Sequence, residues 1–199
     1  MEIGTQHRID FDEVIPRYTV GDIVVQVRAA DVLCGSTRVV TIDGPAGSGK
    51  TTLSASLAAG LADCQIIHMD DLYDGWFQDL DRELAERIET SIFEPLRLGA
   101  EPRYVKYDWH IRAFTELVTV PRSPYVILDG VGSGNSMLRE CVALAIWIES
   151  DPESLVNRVL DRDGAHLRDD LLRWQQHESE YFAAHGVREA ADLHLRGDY

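Results

Sequence analysis

Eight consecutive residues, Gly44-Pro45-Ala46-Gly47-Ser48-Gly49-Lys50-Thr51, constrain this chain more than any other stretch. Before them runs Arg38-Val39-Val40-Thr41-Ile42-Asp43, a β-branched run that reads as a buried strand. After them runs Thr52-Leu53-Ser54-Ala55-Ser56-Leu57-Ala58-Ala59-Gly60-Leu61, with leucines at helical spacing. A strand, a glycine-rich bend and a helix in this order make a phosphate-binding loop. The glycines let backbone N–H groups turn inward around phosphate oxygens, and the helix N-terminus adds positive partial charge at the same point. Lys50 can reach the β- and γ-phosphates, and the Thr51 hydroxyl can ligate Mg²⁺. The candidate nucleotide contacts are Gly44, Ala46, Gly47, Ser48, Gly49, Lys50, Thr51 and Thr52.

The 199 residues suffice for one domain with a sizeable core. A net charge of −15 argues against a general nucleic-acid binder, which needs a basic footprint. It also means that local positive groups must hold an anionic nucleotide against the overall field. No apolar run is long enough to span a bilayer, and Met1-Glu2-Ile3-Gly4-Thr5 does not read as a signal peptide. Cys34, Cys64 and Cys141 are scattered and odd in number, as expected of small buried residues in a reducing cytoplasm.

Residues 1–37 read as an N-terminal extension packed on a domain spanning 38–199. Within the extension, residues 20–30 carry Ile23, Val24, Val27 and Ala30 on one helical face, although their β-branched content keeps a strand open. A second buried strand, Gln65 to Met69, ends in Asp70-Asp71 and suggests a right-handed parallel crossover. Ligands gather beyond the carboxyl ends of such strands, so the loop and the acidic pair share one edge. A helix is expected from about Asp79 to Leu98, with Leu84, Ile88, Ile92 and Leu96 inward and Pro95 breaking it. Residues 103–109 and 114–120 read as a hairpin. Tyr125 to Leu128 is a third buried strand closed by Asp129, an acid placed to organise Mg²⁺ and its waters. Val142 to Ile148 is a fourth strand, followed by a helix carrying Arg158 and Arg162 on one face. A further helix spans Leu171 to Phe182, and a short last strand spans Ala191 to Leu195. The segment Gly130-Val131-Gly132-Ser133-Gly134 reads as a flexible loop. The absence of His-Glu-x-x-His argues against a zinc site.

From Arg38 onward these residues resemble the uridine kinase-like branch of the phosphate-loop small-molecule kinases. Met69-Asp70-Asp71-Leu72-Tyr73 looks like that family's Asp-x-Phe-Tyr motif, and Tyr107-Asp108-Trp109 like its Tyr-Asp-Phe motif. Ile127-Leu128-Asp129-Gly130 looks like its strand ending in Glu-Gly, and Arg162-Asp163 like its lid pair. Two features depart from the pattern: the usual Glu is Asp129, and the lid is sparse in arginines. The patterns Tyr107-Asp108-Trp109, Asp129-Gly130-Val131-Gly132-Ser133-Gly134 and Arg173-Trp174 with Glu178 look more like divergent bacterial members than the standard uridine/cytidine enzymes.

The resemblance implies a three-layer α/β/α fold with a mostly parallel sheet of about five strands, a β-hairpin flap and a helical lid. It implies ATP and Mg²⁺ as cofactors and a small-molecule hydroxyl acceptor, such as a nucleoside, as the partner. Asp70 would take the acceptor proton, with Asp71 as the competing assignment, while Lys50 and Arg162 neutralise charge on the transferring group. Asp70, Tyr73, Tyr107, Trp109 and His110 would line the acceptor site, and Thr51 and Asp129 would hold the metal. The alternative is a regulatory nucleotide switch, since Asp129-Gly130-Val131-Gly132 fits Asp-x-x-Gly, although no Asn-Lys-x-Asp guanine-reading motif is present. The expected location is cytoplasmic, with the oligomeric state, a homo-oligomer included, left open.

Overall fold

The computed structural model describes residues 17–76, 80 and 82–197. The start of the N-terminal extension and the expected helix start at Asp79 lie outside them.

A five-stranded sheet forms the centre, with strands in the order β2 (Cys64–His68), β5 (Tyr125–Asp129), β1 (Arg38–Asp43), β6 (Val142–Glu149) and β7 (Leu193–Arg196). All four pairings are parallel, so every carboxyl end points to one edge. Parallel sheets need cover on both faces, and the strand residues divide accordingly. Val39, Val126, Leu128, Ala145 and Trp147 face one core, with α3 (Arg82–Ile88) and α6 (Arg168–His185) packed over it. Val40, Ile42, Ile127, Ile146 and Ile148 face the other, under α1 (Val20–Ala29) and α2 (Lys50–Leu61). The result is a three-layer α/β/α architecture.

Residues 20–29 are helical. Thr19 accepts from the Asp22 N–H while Asp22 accepts from the Thr19 N–H, a reciprocal capping box that satisfies two otherwise orphaned donors. Ile23, Val24 and Val27 then face α2. Gly60 on α2 allows this approach, because a Cβ there would stand 2.8 Å from Val24 Cγ2.

Pro95 does not break its helix. After α3, residues Glu89–Phe93 form a π turn, and α4 (Glu94–Arg97) continues with proline in its first turn. The proline stands just past the π turn, where the regular i→i−4 ladder is already interrupted and a missing N–H is tolerated. Leu84, Ile88, Ile92 and Leu96 are all buried. A repeated four-residue spacing drifts by roughly 40° per step in an α-helix of 3.6 residues per turn. The wider π turn takes up that drift and keeps the four side chains on one face.

The hairpin pairs β3 (Arg103–Asp108) with β4 (Ala113–Thr119) in antiparallel register, separate from the main sheet. After β6, Asp151 caps α5 (Pro152–Asp163), and α6 is followed by α7 (Val187–Ala190). The observed α6 is longer at both ends than the expected helix, and the last strand starts two residues later, at Leu193.

Candidate active site

The phosphate loop joins β1 to α2 at the carboxyl edge. Gly44, Gly47 and Gly49 all have positive φ, at 140°, 82° and 100°. Gly44 shows why no side chain fits: a Cβ would meet the Ile148 carbonyl oxygen at 2.0 Å. Lys50 folds back over its own loop, and its Nζ donates to the carbonyls of Gly44 at 2.7 Å and Pro45 at 2.8 Å. Thr51 and Thr52 are exposed at the start of α2.

Two buried carboxylates hold the loop from behind and from the side. Asp43, 1% exposed at the end of β1, accepts from the Gly44 N–H at 2.7 Å with one oxygen. Its other oxygen accepts from the N–H groups of Gly132 at 3.1 Å and Gly134 at 2.8 Å. The glycine-rich segment after β5 is therefore pinned to β1 rather than loose. Burial pushes the Asp43 carboxyl up to about 6, against the pull of these amides and of Lys50. Glu178, 3% exposed on α6, reaches the loop itself and accepts from the Ala46 N–H at 3.1 and 3.3 Å. Burial pushes it up to about 7, opposed first by Lys50.

Asp70 and Asp71 follow β2 in a single 3₁₀ turn and part company there. Asp71 takes a salt bridge from Lys106 at 2.8 Å and a hydrogen bond from the Tyr104 hydroxyl at 3.4 Å, both from β3. Asp70 is an exposed residue, and its carboxylate has no hydrogen-bond or ion-pair partner among the described residues. Although it is solvent-accessible, enough protein surrounds it in the cleft for desolvation to raise its pKa. Asp129 raises it further, while Lys50, Arg162 and His68 pull it down. Lys50 and Arg162 are thus both within electrostatic reach of Asp70.

Asp129 is 3% exposed at the end of β5. Its Oδ2 accepts from Ser54 Oγ at 3.1 Å and pairs with His68 Nδ1 at 2.9 Å. That hydrogen bond is the main cause of the raised His68 pKa. The other oxygen, Oδ1, is buried without a hydrogen-bond partner. An orphaned buried carboxylate oxygen, on a side chain linked through Ser54 Oγ to the Thr51 carbonyl, suits a hard cation that takes most of its ligands from phosphate and water. Among the described residues no cluster of three or more His, Cys, Asp or Glu could cage a metal alone.

Aromatic side chains wall the Asp70 side of the cleft. Trp109 Nε1 donates to the Asp70 carbonyl at 3.0 Å, tying the hairpin to that residue. Trp76 stands edge-on to Trp109 at 5.5 Å and to Trp174 at 6.1 Å, and Tyr107 meets Trp109 at 5.2 Å. Tyr73 packs on Trp174 at 5.4 Å, fully in the core, and donates its hydroxyl to the Val131 carbonyl at 2.6 Å. His110 lies exposed in the hairpin turn, its N–H bonded to Asp108. Arg158 braces the site, donating to Ser150 Oγ and the Gly197 carbonyl, both at 3.1 Å.

Sequence reasoning singled out neither Asp43, Glu178, His68 and Ser54 nor the tryptophans at 76 and 174 as site residues. A readable signal existed for Glu178. It interrupts the apolar stripe Leu171, Trp174, Tyr181 at helical spacing, and a lone acid on a buried stripe needs a partner.

No protein-family model matches the chain, and no curated protein matches it. Solved structures do. One described as a "possible uridine kinase" from Bacillus stearothermophilus superposes with a TM-score of 0.59 at 19% identity, over 88% of this chain and 97% of that one. A candidate fructose transport system kinase from Silicibacter sp. TM1040 gives a TM-score of 0.53 at 19% identity, over 90% of this chain and 99% of that one. Among the described residues no helix is long and apolar enough to cross a membrane. The chain shares with these two structures a phosphate-loop fold of three layers about a parallel sheet.

Proposed function

We propose that this chain is an ATP-dependent kinase that transfers the γ-phosphoryl group to a hydroxyl of a small molecule, with a nucleoside as the favoured acceptor. One observation carries the reading: Asp70, a carboxylate without a side-chain partner, stands beside the phosphate loop within reach of Lys50 and Arg162. Phosphoryl transfer demands positioning, charge neutralisation and a proton acceptor, with little covalent work for the protein.

Lys50 would exchange the Gly44 and Pro45 carbonyls for phosphate oxygens, and the loop amides would hold the β-phosphate. Arg162 from α5 would add positive charge beside the transferring group. Asp70, rather than the ion-paired Asp71, would accept the hydroxyl proton. A pKa raised by its surroundings makes Asp70 a better base for that step. Thr51 and Asp129 are the residues that would hold Mg²⁺, which supplies charge neutralisation at the β- and γ-oxygens. Trp109 and Trp76 offer aromatic surface for a flat acceptor. The nearby structures described as kinases of a nucleoside and of a sugar system support this class of acceptor.

Incubating purified protein with ATP, Mg²⁺ and a panel of nucleosides, sugars and other alcohols, with product masses as readout, tests the reading. A phosphorylated acceptor establishes it. ATP binding without any phosphorylated product across the panel would overturn it.

A further inference from the structure

We propose that Glu178 is a built-in anion for the phosphate loop: before nucleotide binds, its carboxylate holds the Ala46 amide that a triphosphate would claim, and nucleotide binding proceeds with protonation of that carboxylate. The proposal rests on the nucleotide-binding reading and extends it to a proton-linked step.

The geometry supports it directly. Loop amides in such a bend bind anions, and both Glu178 oxygens lie within 3.3 Å of the Ala46 nitrogen. The carboxylate arrives from α6, 132 residues along the chain, and is almost wholly buried. Among the described residues, these groups face it. Lys50 and Ala46 come from the loop, Asp43 from the end of β1 and Tyr73 from the segment after β2. Trp174, which hydrogen-bonds it, comes from its own helix, as does Tyr181, which acts on Tyr73. Lys50 is the cation among them, and it also serves Asp43 and Asp70.

A triphosphate tail adds several negative charges to this space and draws Lys50 away from the three carboxylates. An ionised Glu178 would then face the new anion in a buried setting, where like charges repel strongly. One proton taken from solvent converts the carboxylate to a carboxylic acid and removes that repulsion. The acid can also donate its O–H to a phosphate oxygen. Its pKa already lies near neutrality before nucleotide binds, so about half of the carboxyl groups carry the proton at pH 7, and the charge of the bound anion would keep them protonated through the alkaline range.

The test compares wild type with Glu178→Gln, which keeps a carbonyl oxygen for the Ala46 N–H. Affinity for a non-hydrolysable ATP analogue with Mg²⁺ is measured between pH 6 and 8.5. Taking the ratio of the two proteins cancels the titration of the nucleotide itself. From a pKa of about 7 before nucleotide binds, and with the carboxyl protonated in the complex up to pH 8.5, wild-type affinity should fall roughly 30-fold relative to the variant across this range. Calorimetry in buffers of different ionisation enthalpy reads the proton directly. Wild type should take up about half a proton more than Glu178→Gln at pH 7 and nearly one more at pH 8. A purely structural contact would leave proton uptake unchanged. Superimposable pH profiles, or equal proton uptake, overturn the proposal while leaving nucleotide binding intact. If neither protein binds the analogue at any pH, the nucleotide-binding reading falls and this proposal with it.

Discussion

In the absence of nucleotide, Glu178→Gln should lose less stability toward alkaline pH than the wild type does. Burial raises the Glu178 pKa from 4.5 to about 7, so the folded chain holds a proton that the unfolded chain has already released. The folded state binds more protons between these values, and stability therefore falls as pH rises through that window. A tenfold change in a proton equilibrium is worth about 1.4 kcal/mol, which makes the loss about 3 kcal/mol once pH passes 7. Glutamine does not titrate, so the variant should escape this loss. Asp43, raised from 3.8 to about 6, has the same sign in a lower window and acts in both proteins. His68 has its pKa raised by Asp129, and its stabilising pairing fades as pH rises; it too is common to both. The assay is urea unfolding of both proteins at intervals from pH 4.5 to 8, plotted as a difference. The difference should be near its minimum at pH 4.5 and grow by about 3 kcal/mol in favour of the variant by pH 8. A difference that stays flat would refute the claim that a buried, ionising carboxylate sits on the loop.

Further outcomes follow from other contacts. Asp70→Asn should lower kcat by about 10²- to 10⁴-fold, with ATP affinity little changed, as steady-state kinetics and direct binding would show. Trp109→Phe keeps an aromatic ring but deletes the donor to the Asp70 carbonyl. It should cost about 1 kcal/mol in chemical unfolding and lower kcat without raising the KM for ATP. Gly197→Ala would put a Cβ at 1.9 Å from the Ser48 carbonyl oxygen, inside the phosphate loop. It should destabilise by about 1–3 kcal/mol in thermal unfolding and weaken nucleotide binding together.

The features legible in the sequence were the local ones. The phosphate loop announces itself because its glycines, lysine and threonine act within eight neighbouring positions. Strand-end acids such as Asp129 are visible because a buried apolar run stops at them. The hairpin was legible too, through its two short runs around a turn. Pro95 reads as a break because proline interrupts a regular α-helix. The π turn at Glu89–Phe93 decides otherwise, and it depends on packing of the whole apolar stripe. The Thr19–Asp22 capping box was present in the text and would have resolved the ambiguity of residues 20–30. Glu178 and Asp43 were invisible as site residues for a different reason. The partners of Glu178, and those of Asp43 on the β5 loop, lie about ninety or more residues away, and only the shared sheet edge brings them together. Choosing between Asp70 and Asp71 likewise needed Lys106 from β3, which occupies Asp71.

The placing of Trp76 between Trp109 and Trp174 equips the molecule with an optical probe of its own. Three of the four indoles crowd the wall beside Asp70, while Trp147 lies apart against Phe182 and Glu149. A compound that parts those rings changes the polarity and mutual quenching of three chromophores at once. Intrinsic emission can therefore screen acceptors by occupancy, without a label and without turnover.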